Sequence, residues 1–358
     1  MPQPILFFNY NKIADEVIAA GIPKNDIFYF EGTPLQHVFK NVFNAVQTML
    51  FLSDEIYGIH PARIVYNNSI SINAKAGTQN GIRILSINSG LIVRTTNFFI
   101  ECFNAIPRDK LSFLQTASEK LPDPIPELMR DFSVRLTIDH EFAHLIQRNA
   151  NSANSMWQEY GDEAGTKRFS LEHHILEYDA DLWGTMGVGS AMQTYFEGLP
   201  VQSKTSDMLT SLISLALTSL LCKFFLGQQT QQEIYFNEFR HPHPIIRTIY
   251  ISNRLRQLLS AQPYGAQVNW TNVVGNSIYL ASLLLKTKNF HFAENVLVDY
   301  VRNYRNIQKY IEGTIAKNIA NVKNLTLFRP PASAFEITWD KILAKLKTLE
   351  AFPPILDF

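Results

Sequence analysis

The sequence predicts an α+β fold that is predominantly helical, and three observations carry that expectation. Two stretches with alternating apolar residues flank a glycine-containing turn, and several segments free of proline and glycine place apolar residues at helical spacing. Hydrophobic residues make up 46% of the 358, enough to bury a large core arranged as one extended domain or two smaller ones.

Taken in order, Leu35 to Ile56 reads as an early helix, with Val38, Val42, Val46, Met49 and Leu50 at helical intervals. Residues 63–74 and 82–88 read as strands joined by the turn Gly77-Thr78-Gln79-Asn80-Gly81, since Ile70 and Ile72, then Ile82 and Ile84, alternate with period two. The small sheet or hairpin precedes a long helix over Asp131 to Asn149, whose Ile138, Phe142, Leu145 and Ile146 fall on one side. The proline-rich run Leu121 to Pro126 marks where that helix begins. Met208 to Cys222 is apolar but short for a membrane span, and Thr210, Ser211, Ser214, Thr218 and Ser219 interrupt it, so a buried core helix is expected. Helices at Ser277 to Lys286 and Phe290 to Lys309, a break at Arg329-Pro330-Pro331 and a last helix near Ile337 to Leu349 complete the chain. No unit recurs at a fixed period, so a solenoid is not supported. The segments group as a helical or mixed 1–60, a core over 61–258 and a C-terminal helical extension over 259–358.

The most informative residues are His140-Glu141-Phe142-Ala143-His144. On a helix, positions i and i+4 share a face, so both imidazoles can reach one metal ion and Glu141 can serve as general base toward a water beside it. With 9 His in the chain, a chance HExxH is an event of about one per cent, so helical context and a third ligand decide. Context is met by the Asp131 to Asn149 pattern.

A hydrolytic zinc site takes three protein ligands, and the best third candidate is Glu177 in Glu177-Tyr178-Asp179-Ala180-Asp181. Asp181, one turn on, is placed to accept a hydrogen bond from the outer nitrogen of a ligand histidine. A solvated acidic face of Glu177, Asp179 and Asp181 is the competing reading, and HExxH upstream favours the metal. His173 and His174 offer a three-histidine alternative, but the spacing after His144 lacks the glycine and histidine of metzincins, so both are assigned a surface or supporting role. A third block, His241-Pro242-His243-Pro244-Ile245-Ile246-Arg247, is weak alone because His-Pro pairs open many helices.

The order HExxH, then Glu-x-x-Ala-Asp, then His-Pro-x-x-x-x-Arg resembles the gluzincin metallopeptidases of the CAAX-prenyl-protease type, and more closely the soluble Lit-like peptidases of phage exclusion. Flanking words share the likeness, with Ser89-Gly90-Leu91 and Asn97-Phe98-Phe99 before the motif and Arg247 to Asn253 after it, so that it covers roughly residues 82 to 255. The resemblance implies a zincin-like catalytic core with one zinc ion per chain on His140, His144 and Glu177, Glu141 as general base, Asp181 supporting a ligand, and His241 or Arg247 contacting the substrate carbonyl or bracing the site. It also implies a protein or peptide substrate, in the sense of one host protein cleaved in phage defence. The polar insert Asn149 to Lys167 departs from a short connection and reads as a lid or a loop.

The 32 basic and 32 acidic residues cancel, which argues against a broad nucleic-acid or anionic-membrane surface. Cys102 and Cys222 read as buried hydrophobes, and the N-terminus has no basic start, so a reducing cytoplasm is expected. An extended substrate is expected to pair with Ile82 to Asn88 as an edge strand, and a regulatory partner is allowed for because a free protease endangers its cell. Two other function classes share the metal site: a catalytically silent scaffold whose ion is closed off by His173 or His174, and a zinc hydrolase of a non-peptide bond.

Overall fold

The computed structural model describes residues 6–148, 155–156, 169–227, 233–239, 241–260, 262–290 and 296–326. The expected break at Arg329-Pro330-Pro331, the last helix near Ile337 to Leu349 and all of the polar insert but residues 155–156 lie outside them. In chain order come α1 (Tyr10–Ala19), α2 (Gln36–Ser53), β1 (Ala62–Asn67), β2 (Ala74–Gln79), β3 (Ile82–Asn88), α3 (Ser89–Ala105), α4 (Gln115–Lys120) and α5 (Ile125–Gln147). The two-residue β4 (Ser155–Met156) follows, then α6 (Leu171–Gly198), α7 (Ser206–Gly227), α8 (Pro244–Leu259), α9 (Trp270–Thr287) and α10 (Val296–Tyr310). The fold is helix-rich with a small sheet, as the sequence leads one to expect.

Within the sheet the order is β1-β3-β2-β4, with β1 parallel to β3 and β2 antiparallel to both β3 and β4. This corrects three sequence expectations. The strand expected over 63–74 is two strands, because residues 68–73 leave the sheet between them. Gly77 to Gln79 belong to β2, and the turn is Asn80-Gly81 alone, both with positive φ (45° and 82°), as a two-residue hairpin requires. Strand β3 is interior and not an edge, since it pairs with β1 on one side and β2 on the other, so no substrate strand can add to it. Its residues Ile84 to Asn88 are buried consecutively, the pattern of a strand covered on both faces.

Two apolar clusters build the interior, and α5 contributes to both. Val134, Ile138, Phe142, Leu145 and Ile146 join the sheet together with Tyr10, Phe39 and Phe43 of the N-terminal helices. Met129, Phe132 and Leu136 join Leu212, Leu215 and Leu221 of α7 and Leu280 and Leu284 of α9. From Phe132 to Gln147 every residue of α5 except Arg135 is therefore buried, polar ones included. A helix apolar on one side only would not do this; the HExxH helix is sandwiched.

Helix α7 is long and apolar enough to cross a membrane by composition, but 83% of its most apolar window is buried inside the fold. Its hydroxyls are satisfied locally: Ser211 donates to Asp207 O, Ser214 to Thr210 O and Thr218 to Ser214 O. Ser133 of α5 donates to Ser219 O at 3.0 Å, tying the two helices together. Helix α9 starts earlier than expected because Asn269 caps it, accepting from Asn272 N, and the interior Gly275 obscures that start in the sequence.

Close approach of α5 and α6 depends on two glycines that face the motif helix. A Cβ on Gly184 would lie 3.0 Å from Leu136 O and 3.4 Å from His140 N, and one on Gly187 would lie 1.7 Å from Asp139 Oδ2. Gly184→Val is expected to lower stability by about 1–3 kcal/mol through overpacking, whereas Gly189→Ala, whose Cβ meets only Leu255 and Leu258 side-chain carbons at 3.4 and 3.5 Å, is expected to be neutral or stabilising. Thermal or urea melts of the two variants against wild type check the contrast.

His243 caps α8, its Nδ1 accepting from Ile245 N at 3.2 Å, and burial lowers its pKa to about 3. A neutral ring is thus required in the fold, whereas the unfolded chain takes up a proton near the ordinary value of 6.5. The contribution is fully present above about 6.5 and is lost progressively as pH falls toward about 3. His243→Asn, which keeps a capping acceptor without titrating, is expected to flatten the fall of melting temperature over that window, read by circular dichroism.

Candidate metal centre

Helix α5 and helix α6 carry the site between them. Ser170 begins α6 by accepting from His173 N, and the glycine-mediated contact then sets Glu177 and Asp181 opposite His140 and His144. His140 and His144 meet Nε2 to Nε2 at 3.0 Å. Glu177 Oε2 stands 3.5 Å from His140 Nε2, and Oε1 stands 3.4 Å from His144 Nε2. The competing reading of a solvated acidic face is ruled out: Glu177, Asp179 and Asp181 are each 0% exposed.

The tautomers of the two rings follow from their outer nitrogens. His140 Nδ1 lies 2.9 Å from Asp181 Oδ1, a carboxylate that can only accept, so Nδ1 carries the proton. His144 Nδ1 lies 2.8 Å from Gln147 Oε1, and that amide is oriented because its Nε2 donates to Leu176 O and to Asp179 Oδ2. In the neutral form of each ring, Nε2 then offers its lone pair toward the other ring and toward a buried carboxylate. Such a convergence is repulsive without a positive charge inside it. Donor atoms held 2.0–2.2 Å from a tetrahedral ion stand about 3.3–3.6 Å apart, and the two histidine–glutamate separations of 3.4 and 3.5 Å match. The buried cluster His140, His144, Glu177 can hold a metal ion.

Asp181 is the hub of the surrounding support. Arg247 of α8 donates to it twice, Nε to Oδ2 and Nη2 to Oδ1, both at 2.7 Å, and Tyr250 donates at 2.5 Å. The same guanidinium lies 3.8 Å from Glu177 Oε2 and 4.1 Å from the centre of the Phe224 ring. Burial pushes the Asp181 carboxyl up, but the charge of Arg247 and the bonds from His140 and Arg247 bring it down to about 2. For Glu177, burial again pushes up, and the surrounding imidazoles, His241 foremost, hold it well below the usual carboxylate range. Both carboxylates are therefore ionised.

The remaining candidates sort clearly. Glu141 is fully buried on α5 beside His140. His241 Nδ1 lies 3.3 Å from Glu177 Oε2 with its side chain 12% exposed, the most open of the histidines around Glu177. Neither His173 nor His174 is on the surface, which corrects that part of the sequence reading. His173 is buried one helical turn before Glu177, with Nε2 3.5 Å from Oε1, because α6 packs on both sides. His174 faces elsewhere: its Nε2 donates to Phe239 O at 2.8 Å and Nδ1 meets the Tyr310 hydroxyl at 2.5 Å, so it pins α10 to the stretch before His241. Burial lowers its pKa to about 4, which keeps it neutral.

Sequence reasoning missed the chain from Gln147 through Asp179 to Thr326, whose amide and hydroxyl both donate to Asp179 Oδ2, at 2.7 and 2.8 Å. The spacings His144 to Gln147 and Arg247 to Tyr250, each i to i+3 on a helix, were the available signals for the two nearer partners. No protein-family profile, no curated protein and no solved structure matches the chain.

Arg247→Lys preserves the charge but not the paired bonds to Asp181. It is expected to weaken divalent-metal affinity roughly 10- to 100-fold without unfolding the chain, measured by competition against a chromophoric chelator. Unchanged affinity would show that Asp181 orients His140 without its arginine.

Proposed function

We propose that this chain is a zinc-dependent endopeptidase of gluzincin type, with His140, His144 and Glu177 as ligands and Glu141 as general base. The observation that carries the reading is the convergence of two oriented imidazoles and an ionised carboxylate in a buried cluster, next to a second carboxylate one residue along the motif helix. A zinc ion held by these residues would polarise a water and the scissile carbonyl. The chain's own residues do the rest. Glu141 takes the proton from the attacking water and passes it toward the departing amine. Asp181 and Gln147 hold both ligand rings with Nε2 inward, and Arg247 keeps Asp181 ionised and in place. Arg247 is thus a brace, and His241, the more open group, is the one we assign to the substrate carbonyl.

The motif order, similar to that of Lit-like peptidases, supports cleavage of a particular host protein in phage defence; two buried cysteines suit a reducing cytoplasm, and a free protease there calls for a regulatory partner. The silent-scaffold reading draws support from His173, whose Nε2 stands close enough to Glu177 to close the coordination of an ion. One variant separates the two. Glu141→Gln is expected to keep its metal and to lose cleavage by about 10²- to 10⁴-fold, read as protein termini that appear in cells expressing wild type but not the variant. Identical termini in both would exclude Glu141 as the base.

A further inference from the structure

A second set of donors adjoins the first and shares only Glu177 with it: His173, Glu177 and His241 bring one ligand atom each within 4.8 Å of one another. His173 Nε2 lies 3.5 Å from Glu177 Oε1, His241 Nδ1 lies 3.3 Å from Oε2, and the two rings sit 5.2 Å apart at 72°. These separations lie within 0.1 Å of those of the first set. We infer that Glu177 bridges two metal ions, the second held by His173 and His241.

The inference rests on the metal-centre reading above and extends it. Each carboxylate oxygen of Glu177 is approached by one imidazole of each set: Oε1 by His144 and His173, Oε2 by His140 and His241. One tetrahedral ion has no room for four imidazoles and a carboxylate together with a reacting water. Two ions 3.5–4 Å apart, the ordinary span of paired sites, use all five donors and leave each ion an open position. The nitrogen-rich set selects a borderline divalent ion of the zinc class over magnesium or calcium. His173 is fixed in register with Glu177 by one helical turn, and His241 arrives immediately before the Pro244 start of α8, so both are carried by the framework that places the first set. In this arrangement His241 acts on substrate through its ion and not by a direct hydrogen bond.

The test is metal stoichiometry on the full chain, stripped with chelator, titrated with zinc and measured by mass spectrometry of the gel-filtered protein. Wild type is expected to hold two equivalents, and His173→Ala, His241→Ala and His140→Ala one each. A single equivalent in wild type that survives His173→Ala and disappears in His140→Ala overturns the bridge and leaves the peptidase reading intact. Complete loss of metal in His173→Ala means one ion shared by both sets, which also overturns it, and a metal-free wild type removes both readings. Should His173→Ala fail to fold, His241→Asn at the more open position carries the comparison with cobalt in place of zinc. Magnetic coupling is then expected to suppress the cobalt resonance in wild type, and the variant to recover it; a full uncoupled signal in doubly loaded wild type overturns the bridge.

Discussion

Everything at the site depends on how closely α5 and α6 approach. Side-chain-free positions at Gly184 and Gly187 let the two backbones meet, and only at that distance do His140 and His144 face Glu177 and Asp181 across the gap. The approach is costly in principle, because it buries ionised carboxylates and polar rings in the seam between two apolar clusters. It is tolerated because the polar groups satisfy one another almost completely. Asp181 receives a fully desolvated guanidinium, a tyrosine hydroxyl and an imidazole, and Asp179 receives an amide side chain together with the backbone and hydroxyl of Thr326. Glu177 faces the inward nitrogens of His140 and His144, and this cluster can hold a metal ion.

The layering of the fold encloses the same cluster. The sheet and the N-terminal helices press on one side of α5, and α7 with α9 on the other, so the motif helix has no solvent-facing side along its last four turns apart from Arg135. Distant segments are recruited to the same point: α8 delivers Arg247 and Tyr250, α10 reaches His174 through Tyr310, and Thr326 closes on Asp179. The last described segment is thus bound to the site in the middle of the chain, and a candidate metal ligand, His144, is connected to Thr326 through only Gln147 and Asp179.

Legibility varied with the range of the interaction. Helix α5, the core character of α7 and the pairing of His140 with His144 are local properties, written in periodicity and in i, i+4 spacing, and they are readable without a structure. The hairpin was found but misplaced, because Gly77 looks like a turn residue while the positive φ that defines the turn falls on Asn80 and Gly81. The position of β3 inside the sheet was not readable, since a parallel partner such as β1 arrives by a connection that no local pattern records. His173 and His174 are adjacent in sequence and indistinguishable there, yet one faces Glu177 and the other Tyr310, a division made by the 100° rotation between neighbouring helical residues.

By itself the sequence determined which residues are candidates for a metal centre: two histidines one turn apart with a glutamate beside the first, and a Glu-x-x-Ala-Asp segment that offers a further carboxylate and its support. Only the tertiary structure decided that these carboxylates are buried and ionised, that Arg247 spends its charge on Asp181, and that His173 and His241 flank Glu177. The reason is physical. Ligand identity and helical phase are fixed within a turn or two of chain, whereas burial, ionisation and the meeting of residues some thirty to a hundred positions apart exist only once α5, α6 and α8 have packed.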